Sequence, residues 1–489
     1  MLIDDGDFLK EYKLFVQRIG LVGITNILIS FSSLILLPIL TKNLTIQDYG
    51  VWAQFIATVT FIPLIVNLGL PYSMVRFLPV KTDKNEIKEE FYSITFLVLF
   101  VSLIASLLLY IFSKQIGAVL FNGNTIVAQL LAIIGLLMTT IASFLNYFRT
   151  FQQMKLYSII TLIQTYFMVI LVSFFVISGY GVEIAVLGYF IVQFIMFLLL
   201  FALVISQIGF KFPEFKNVRQ YLSFGLPTVP GNLSSWMVEL SDRYVIGIIL
   251  GITFVGYYTP AYTLGNIIAM FLSPFAFILP PLLSSCYDQN KMEEVENYMK
   301  YSLKYFVLIA LPSVFGLSLL SRPLLEIITT SAIAINSYFI TPFIALGAFL
   351  FGIYGIVSQT LVLEKKTKII GSMWIFAAFI NIALNILLVP ILGITAAAIT
   401  TLIAYVITLV VTVFYSQKYI RLKFDFLFGI KSLIASILMS LIIVFINPVT
   451  IDRILETVLI CAGVYLLSLF LLKGISREEI EFFKKLVVK

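Results

Sequence analysis

Apolar runs of helix length, repeated from one end of the chain to the other and separated by short polar breaks, leave this sequence one kind of solvent. They fall at 18–41, 51–75, 91–113, 125–148, 156–178, 184–206, 220–250, 254–281, 302–320, 336–361, 369–389, 394–416, 429–446 and 454–473. A bilayer core about 30 Å thick takes roughly 20 apolar residues per helix, and in hydrocarbon only helices or closed barrels satisfy their own backbone groups. Barrel strands would read as alternating segments of about ten residues, and these runs are neither short nor alternating. Only 12% of the residues are charged, against roughly 25% in soluble domains. The expected fold class is an all-α integral membrane protein of about 14 transmembrane helices.

Two runs, 220–250 and 254–281, contain Pro227, Pro230, Pro260, Pro274, Pro280 and Pro281. Bends or unwound turns are expected there, because proline removes a helix hydrogen bond and clashes with the preceding turn. Charge placement orients the helices, since Lys and Arg concentrate in cytoplasmic loops. With both termini inside, 27 of the 32 Lys and Arg residues lie on the cytoplasmic side; Lys42, Lys114, Arg322 and Arg453 lie outside and Arg243 lies within a helix. The reading is a multi-pass protein of the inner (plasma) membrane with both termini cytoplasmic. The net charge of +7 belongs to loops facing anionic lipid, and no nucleic-acid partner is implied. The opening MLIDDGDFLKEYKLFVQRIG lacks the pattern of a cleaved signal. It reads as a cytoplasmic segment, 1–17, with an interfacial helix built on Phe8, Tyr12 and Phe15.

The chain repeats itself. PILTKNLTIQDYGVWAQF can be laid on YVIGIILGITFVGYYTPAY with Gly50 opposite Gly256, and QQMKLYSII on LEKKTKII with Lys155 near Lys365. GYGVEIAVLGY and ILGITAAAITT place Gly181 near Gly393, at the same spacing of 206 to 212 residues. Two parallel six-helix lobes, 18–206 and 220–416, are therefore expected, joined by a cytoplasmic linker at 207–219. Two additional helices at 417–473 and a cytoplasmic tail at 474–489 complete the chain.

The stretches LTIQDYGVW, NLGLPYSMVRFL, FGLPTVPGNLSSWMVELSDRYVIG with VGYYTPAYTL, and INIALNILLVPILGITAAAITTLIAY together resemble the polysaccharide transporters. These are the oligosaccharide flippases of the multidrug/oligosaccharidyl-lipid/polysaccharide exporter superfamily. The resemblance runs through about residues 18 to 416. It implies two pseudosymmetric lobes and transport of a polyprenyl-linked oligosaccharide, such as an O-antigen, capsule or exopolysaccharide repeat unit, from the cytoplasmic to the outer leaflet by alternating access.

Intramembrane ionisable groups are costly, and they face the protein interior or a wet cavity. Asn232, Trp236, Glu239 and Arg243 recur at helical spacing in the seventh run, with Ser235 and Asp242 beside them. As a substrate site, Trp236 would stack on a sugar face, Glu239 and Asn232 would bond hydroxyls, and Arg243 would pair with phosphate. Equally, Glu239 and Arg243, at i and i+4, would simply neutralise each other. Arg76 and Arg149 stand at the cytoplasmic ends of the second and fourth runs, where a lipid pyrophosphate would first arrive or where they would snorkel to headgroups. Glu239 and Asp242 are the candidates for ion coupling. The remaining intramembrane polar residues, Asn67 and Asn146 among them, read as interhelical hydrogen-bonding groups, and Asp48 as a cap for the second helix.

With no histidine, and with Cys286 and Cys461 far apart, neither a metal nor a cofactor site is expected. No Walker motif is present and no soluble domain fits between the runs, so the chain is read as a transporter and not an enzyme. Its expected partners are the lipid-linked oligosaccharide, membrane lipids and a glycan polymerase or other assembly protein. The alternatives are a cation-coupled multidrug exporter of the same superfamily and a non-transport scaffold for glycan assembly. The exporter branch usually has twelve helices and a buried acid in its first lobe, and the first six runs here hold no acid well inside the membrane.

Overall fold

The computed structural model describes residues 5–421 and 424–474, with side chains from Gly20 onward. The expected interfacial residues Phe8, Tyr12 and Phe15, and the tail from 475 on, lie outside the described side chains. Among the described residues every regular element is helical. The chain divides into two compact units, Met1–Thr259 with Trp374–Ala397, and Pro260–Met373 with Ala398–Lys489.

The first unit opens with α1 (Asp5–Asn43), α2 (Ile46–Val66), α3 (Leu70–Phe77), α4 (Lys84–Ile111), α5 (Ser113–Leu120) and α6 (Thr125–Thr150). It continues through α7 (Met154–Ile177), α8 (Val182–Ile208), α9 (Val218–Gly225), α10 (Val229–Ile249) and the start of α11 (Ile252–Gly265). The second unit holds the end of α11, then α12 (Ser273–Asp288), α13 (Met292–Leu319), α14 (Ser321–Ile328), α15 (Ser331–Ser337), α16 (Ile340–Val357) and α17 (Gln359–Leu363). Both units share α18 (Thr367–Leu392) and α19 (Ile394–Ser416), and α20 (Phe426–Ile446) and α21 (Ile451–Leu471) finish the second.

Thirteen helical segments among the described residues are long and apolar enough to cross a membrane. The one run of the fourteen left over is the seventh, which holds α10, whose 21 residues include Glu239, Asp242 and Arg243. These charges, and not its length, set it apart from the others. The proline-rich runs are interrupted as expected: a 3-10 turn at Leu226–Thr228 separates α9 from α10, and one at Asn266–Leu272 separates α11 from α12.

Local chemistry fixes the ends of α2. Its N-cap is Thr45 and not Asp48. The Thr45 hydroxyl accepts from the Asp48 amide at 3.0 Å and donates to the Asp48 carboxylate at 2.8 Å, so Asp48 is the third-position partner in a reciprocal cap. At the other end, the single run 51–75 breaks in two. Leu68 and Gly69 take left-handed conformations (φ 51° and 68°), and Pro71 then restarts the chain as α3.

Two glycines that the repeat aligns meet in space. A Cβ on Gly50 would lie 2.2 Å from the Ile252 carbonyl oxygen, and one on Gly256 would lie 2.2 Å from the Ile46 carbonyl oxygen. The contact is reciprocal, because Ile46 and Ile252 are separated by the same interval as Gly50 and Gly256. Main chain thus packs on main chain where α2 and α11 begin, an approach only glycine permits.

The segment between α8 and α9 is clamped onto the start of α4. Tyr92 donates to the Gly209 carbonyl at 2.7 Å, Glu89 accepts from the Glu214 amide at 2.6 Å, and Asn217 donates to Glu90 at 3.2 Å. Lys81 bridges Glu86 and Glu90, Lys211 bridges Glu89 and Glu214, and Lys216 pairs with Glu214. The bonds from Glu86 and Glu90 raise the Lys81 pKa, and Lys216, then Lys211, hold the Glu214 carboxyl below its ordinary value.

Candidate substrate cavity

Within the first unit, α2, α3, α6, α9 and α10 enclose a cavity of about 730 Å³. Its position follows from the break after α2: by turning at Leu68 and Gly69, the chain sets α3 against α9 and leaves space above them. The contact is again tight, with a Gly69 Cβ falling 2.1 Å from the Gly225 carbonyl oxygen. Ser73 reinforces it by donating to the Tyr221 carbonyl at 2.7 Å.

One wall is α10, which presents Asn232, Ser235, Trp236 and Glu239. That spacing, i, i+3, i+4, i+7, is a single helical face. Three side-chain contacts tie α10 to its neighbours. Trp236 Nε1 donates to Thr60 at 3.4 Å, Tyr244 donates to Thr58 at 2.9 Å, and Tyr72 donates to Asn232 Oδ1 at 3.3 Å. The Trp236 indole also packs on Phe61, with ring centroids 4.5 Å apart. The ring is therefore held in place along an open face, as a stacking platform requires.

Another part of the lining carries positive charge. Arg76, from the last turn of α3, and Arg149, from the last turn of α6, both reach the cavity. Both side chains are exposed, and neither makes an ion pair or side-chain hydrogen bond among the described residues. Against these two cations the lining offers one carboxylic acid, Glu239, so the described lining carries a net positive charge when Arg76, Arg149 and Glu239 are all ionised. Asn67 and Asn146 lie on the same surface, and the buried Asn67 Oδ1 has no hydrogen-bond partner among the described residues.

Arg243 and Asp242 are placed elsewhere. Neither belongs to the cavity lining; their exposures are 4% and 0%. Arg243 pairs with Asp242 at 2.9 Å, donates to the Glu239 carbonyl at 3.0 Å and stands 5.8 Å from the Tyr258 ring centroid. Asp242 also accepts from Tyr258 at 2.5 Å. A buried group of three polar residues adjoins it in sequence, with Ser241 donating to Asn381 at 3.4 Å and Asn385 donating to Asn381 at 3.2 Å. The structure thus brings Asn232, Trp236, Glu239, Arg76 and Arg149 around one space, and it encloses Asp242 and Arg243 in a neutralised buried pair.

The polar residues that pattern reading assigned to interhelical bonding include two cavity residues, Asn67 and Asn146. For Asn67 a signal was present: the following Leu68, Gly69 and Pro71 mark a turn, and an asparagine at a break between helices is freed from the bundle interior. Tyr72 and Thr60 carried no comparable mark.

A family model described as polysaccharide biosynthesis protein matches residues 15–287, more than half of the chain. The chain belongs to this family. A second model, MatE, matches residues 227–387. Among relatives, a probable low-salt glycan biosynthesis flippase of Haloferax volcanii is 24% identical over 216 residues, 44% of this chain and 46% of that one. An uncharacterized membrane protein of Methanocaldococcus jannaschii is 23% identical over 89% of this chain and 91% of its own length. A probable lipid II flippase of Rickettsia prowazekii is 26% identical over 42% of this chain and 44% of that one. The match spans less than half the length of either flippase.

Two solved structures share the fold. Lipid II flippase MurJ in an inward closed conformation superposes with a TM-score of 0.74 at 21% identity, covering 93% of this chain and 97% of that one. An inward-facing multidrug resistance MATE family transporter gives 0.66 at 15% identity, covering 81% and 97%. This family member is a multi-pass membrane protein with the fold of that exporter superfamily.

Proposed function

We propose that the protein is a flippase that carries a polyprenyl-linked oligosaccharide from the cytoplasmic to the outer leaflet by alternating access. The observation that carries this reading is the cavity that gathers two arginines without a side-chain partner among the described residues, Arg76 and Arg149, with a face of Asn232, Trp236 and Glu239. A diphosphate needs fixed cations, which arginine supplies bidentately. A sugar needs donors, acceptors and a ring to stack on. The glycan and lipid II flippases among the relatives support the same substrate class.

In this reading both termini are cytoplasmic, lobes 18–206 and 220–416 rock against each other, and the arginines at the ends of α3 and α6 receive the diphosphate from the inner leaflet. Arg243 acts through position: with Asp242 it anchors α10, whose other residues face the substrate. Glu239 and Asp242 are the acids available for ion coupling, and a glycan polymerase would take the product on the outer side.

The test is reconstitution of the full chain in liposomes with a fluorescent polyprenyl-diphosphate-oligosaccharide, scoring leaflet exchange. Wild type is expected to catalyse exchange. Arg76→Ala/Arg149→Ala and Trp236→Ala are expected to lose it while remaining folded. Exchange that persists in both variants would remove this cavity from the transport path. Loss of ion dependence in Glu239→Gln or Asp242→Asn would assign the coupling acid. The MatE match and the MATE fold neighbour favour one second reading, cation-coupled export of a drug. It predicts extrusion of a soluble organic cation with no exchange of glycolipid.

A further inference from the structure

The linker between α8 and α9 is built inside out for a loop in water. From Gly209, which ends α8 in a left-handed conformation (φ 68°), the chain runs without helix to Phe215. Its charged groups turn toward the protein. Lys211 pairs with Glu89 and with Glu214, each at 3.6 Å, Glu89 also accepts from the Glu214 amide, and Glu90, which accepts from Asn217, is buried. The phenylalanines on either side of Lys211 turn outward: Phe212 is 74% exposed and Phe210 48%. A loop surrounded by water favours the reverse, since covering carboxylates and uncovering aromatic rings are both costly there.

What lies outside the linker is set by α4. Phe210 packs on Tyr92 and Phe96, with ring centroids 5.2 and 6.3 Å apart, and Phe212 packs on Phe96 at 6.0 Å. Phe96 stands in the apolar part of a membrane-spanning helix, about 12 Å along the axis past Lys88, after which α4 carries no further charge. Its face continues as Phe100, Leu103 and Leu107, at i+4, i+7 and i+11. All three are exposed, and on a helix crossing the bilayer that exposure is to acyl chains. The outward side of the linker therefore extends a stripe that already faces lipid.

We propose that residues 209–212 form an elbow set into the membrane, with Phe210 and Phe212 among the upper acyl chains and Lys211 turned back to the ion-pair clamp on α4. The partner of this surface is bilayer lipid, in the leaflet at the Lys84 end of α4, which is the inner leaflet in the topology proposed above. Aromatic rings are favoured at that level of a bilayer. The linker, expected from sequence to be cytoplasmic over 207–219, is thus part of the lipid-facing surface in its first half. Lipid on one side and ion pairs on the other fix the depth at which the chain leaves α8.

The experiment is electron paramagnetic resonance of the full chain in phosphatidylcholine/phosphatidylglycerol liposomes, with a nitroxide on Phe212→Cys in a Cys286→Ala/Cys461→Ala background. Oxygen concentrates among acyl chains and a neutral nickel chelate concentrates in water, so the ratio of their collision rates with the label reads depth. Phe100→Cys supplies the lipid reference, and Thr82→Cys, on the exposed segment before α4, the water reference. The label at 212 is expected to be relaxed more by oxygen than by the chelate, as at 100. The order seen at 82 would overturn the proposal. Protection from both reagents would overturn it as well, because protein and not lipid would then cover the elbow. The unsubstituted chain gives an independent reading: a phosphatidylcholine with a diazirine near the carbonyl end of one acyl chain should, on illumination, label the 209–215 peptide. Labelling of the membrane-spanning helices with none on that peptide would place the linker in water and overturn the elbow.

Discussion

Replacing Gly256 by alanine tests the reciprocal contact between α2 and α11. The added Cβ would stand 2.2 Å from the Ile46 carbonyl oxygen and 3.0 Å from Ile46 Cγ2. Relief to the 3.4 Å at which ordinary contact begins requires the two backbones to part by about 1.2 Å. Overpacking of this kind costs about 1 to 3 kcal/mol. Gly→Ala in a helix also gains up to about 1 kcal/mol from propensity, so the comparison must be with a glycine that has room. Gly463, in α21, meets nothing within 4 Å. Unfolding in mixed micelles of rising SDS fraction should therefore place Gly256→Ala about 1 to 3 kcal/mol below Gly463→Ala. The same holds for Gly50→Ala, whose Cβ meets the Ile252 carbonyl at the same distance. Because one separation relieves both clashes, Gly50→Ala/Gly256→Ala should cost less than the sum of the singles, in contrast to the additivity of independent sites. Equal stability of Gly256→Ala and Gly463→Ala would refute the reasoning, since it would mean that the backbones do not touch.

Removing one partner of the buried Asp242–Arg243 pair, by Arg243→Met or Asp242→Asn, should cost about 3 to 5 kcal/mol. Arg243→Met/Asp242→Leu should be less damaging than Arg243→Met alone, as read in the same unfolding assay. Thr45→Ala should cost about 1 kcal/mol by loss of the cap on α2. The linker clamp should depend on pH in a defined sense. The Glu214 carboxyl is held below its ordinary value, so its contribution is present above about pH 4.3 and is lost as pH falls through the lowered pKa. Lys81 and Lys216 are raised, and their contributions last until pH rises above about 10.4 and through the raised values. Hydrogen exchange of the 209–217 amides should thus show steady protection factors across the neutral range and lose them in acid.

Helix number and the proline breaks were legible because hydrophobic run length and proline act locally. The break after Val66 was missed because Asn67 and Leu68 do not interrupt hydropathy enough to end a run; the left-handed turn depends on two residues. The Asp48 cap was off by three positions for a related reason. Asp48 and Thr45 are both capping residues, and the reciprocal bond between them decides which one sits at the cap. The polar face of α10 was legible from its spacing, since helical period fixes azimuth. Depth along the axis is another coordinate, and period does not report it.

That difference explains where Arg243 lies. Eleven residues after Asn232 it returns to nearly the same azimuth, so a helical wheel joins it to Trp236 and Glu239. It is also one turn, about 6 Å, beyond Glu239 along the axis, and the cavity lining on α10 stops at Glu239. Past that point the same face meets protein, and a guanidinium there must be neutralised. Asp242 at the adjacent position and the Glu239 carbonyl one turn back do so. The charges that keep α10 from reading as a membrane span therefore divide by depth: Glu239 is matched to an open cavity, while Asp242 and Arg243 are matched to each other. A residue exchange that moved the arginine back one turn, Glu239→Arg with Arg243→Met, should place a third cation on the cavity and leave Asp242 buried without its partner. The expected result is a loss of about 3 to 5 kcal/mol in stability. Survival of that variant at wild-type stability would show that Asp242 does not depend on Arg243.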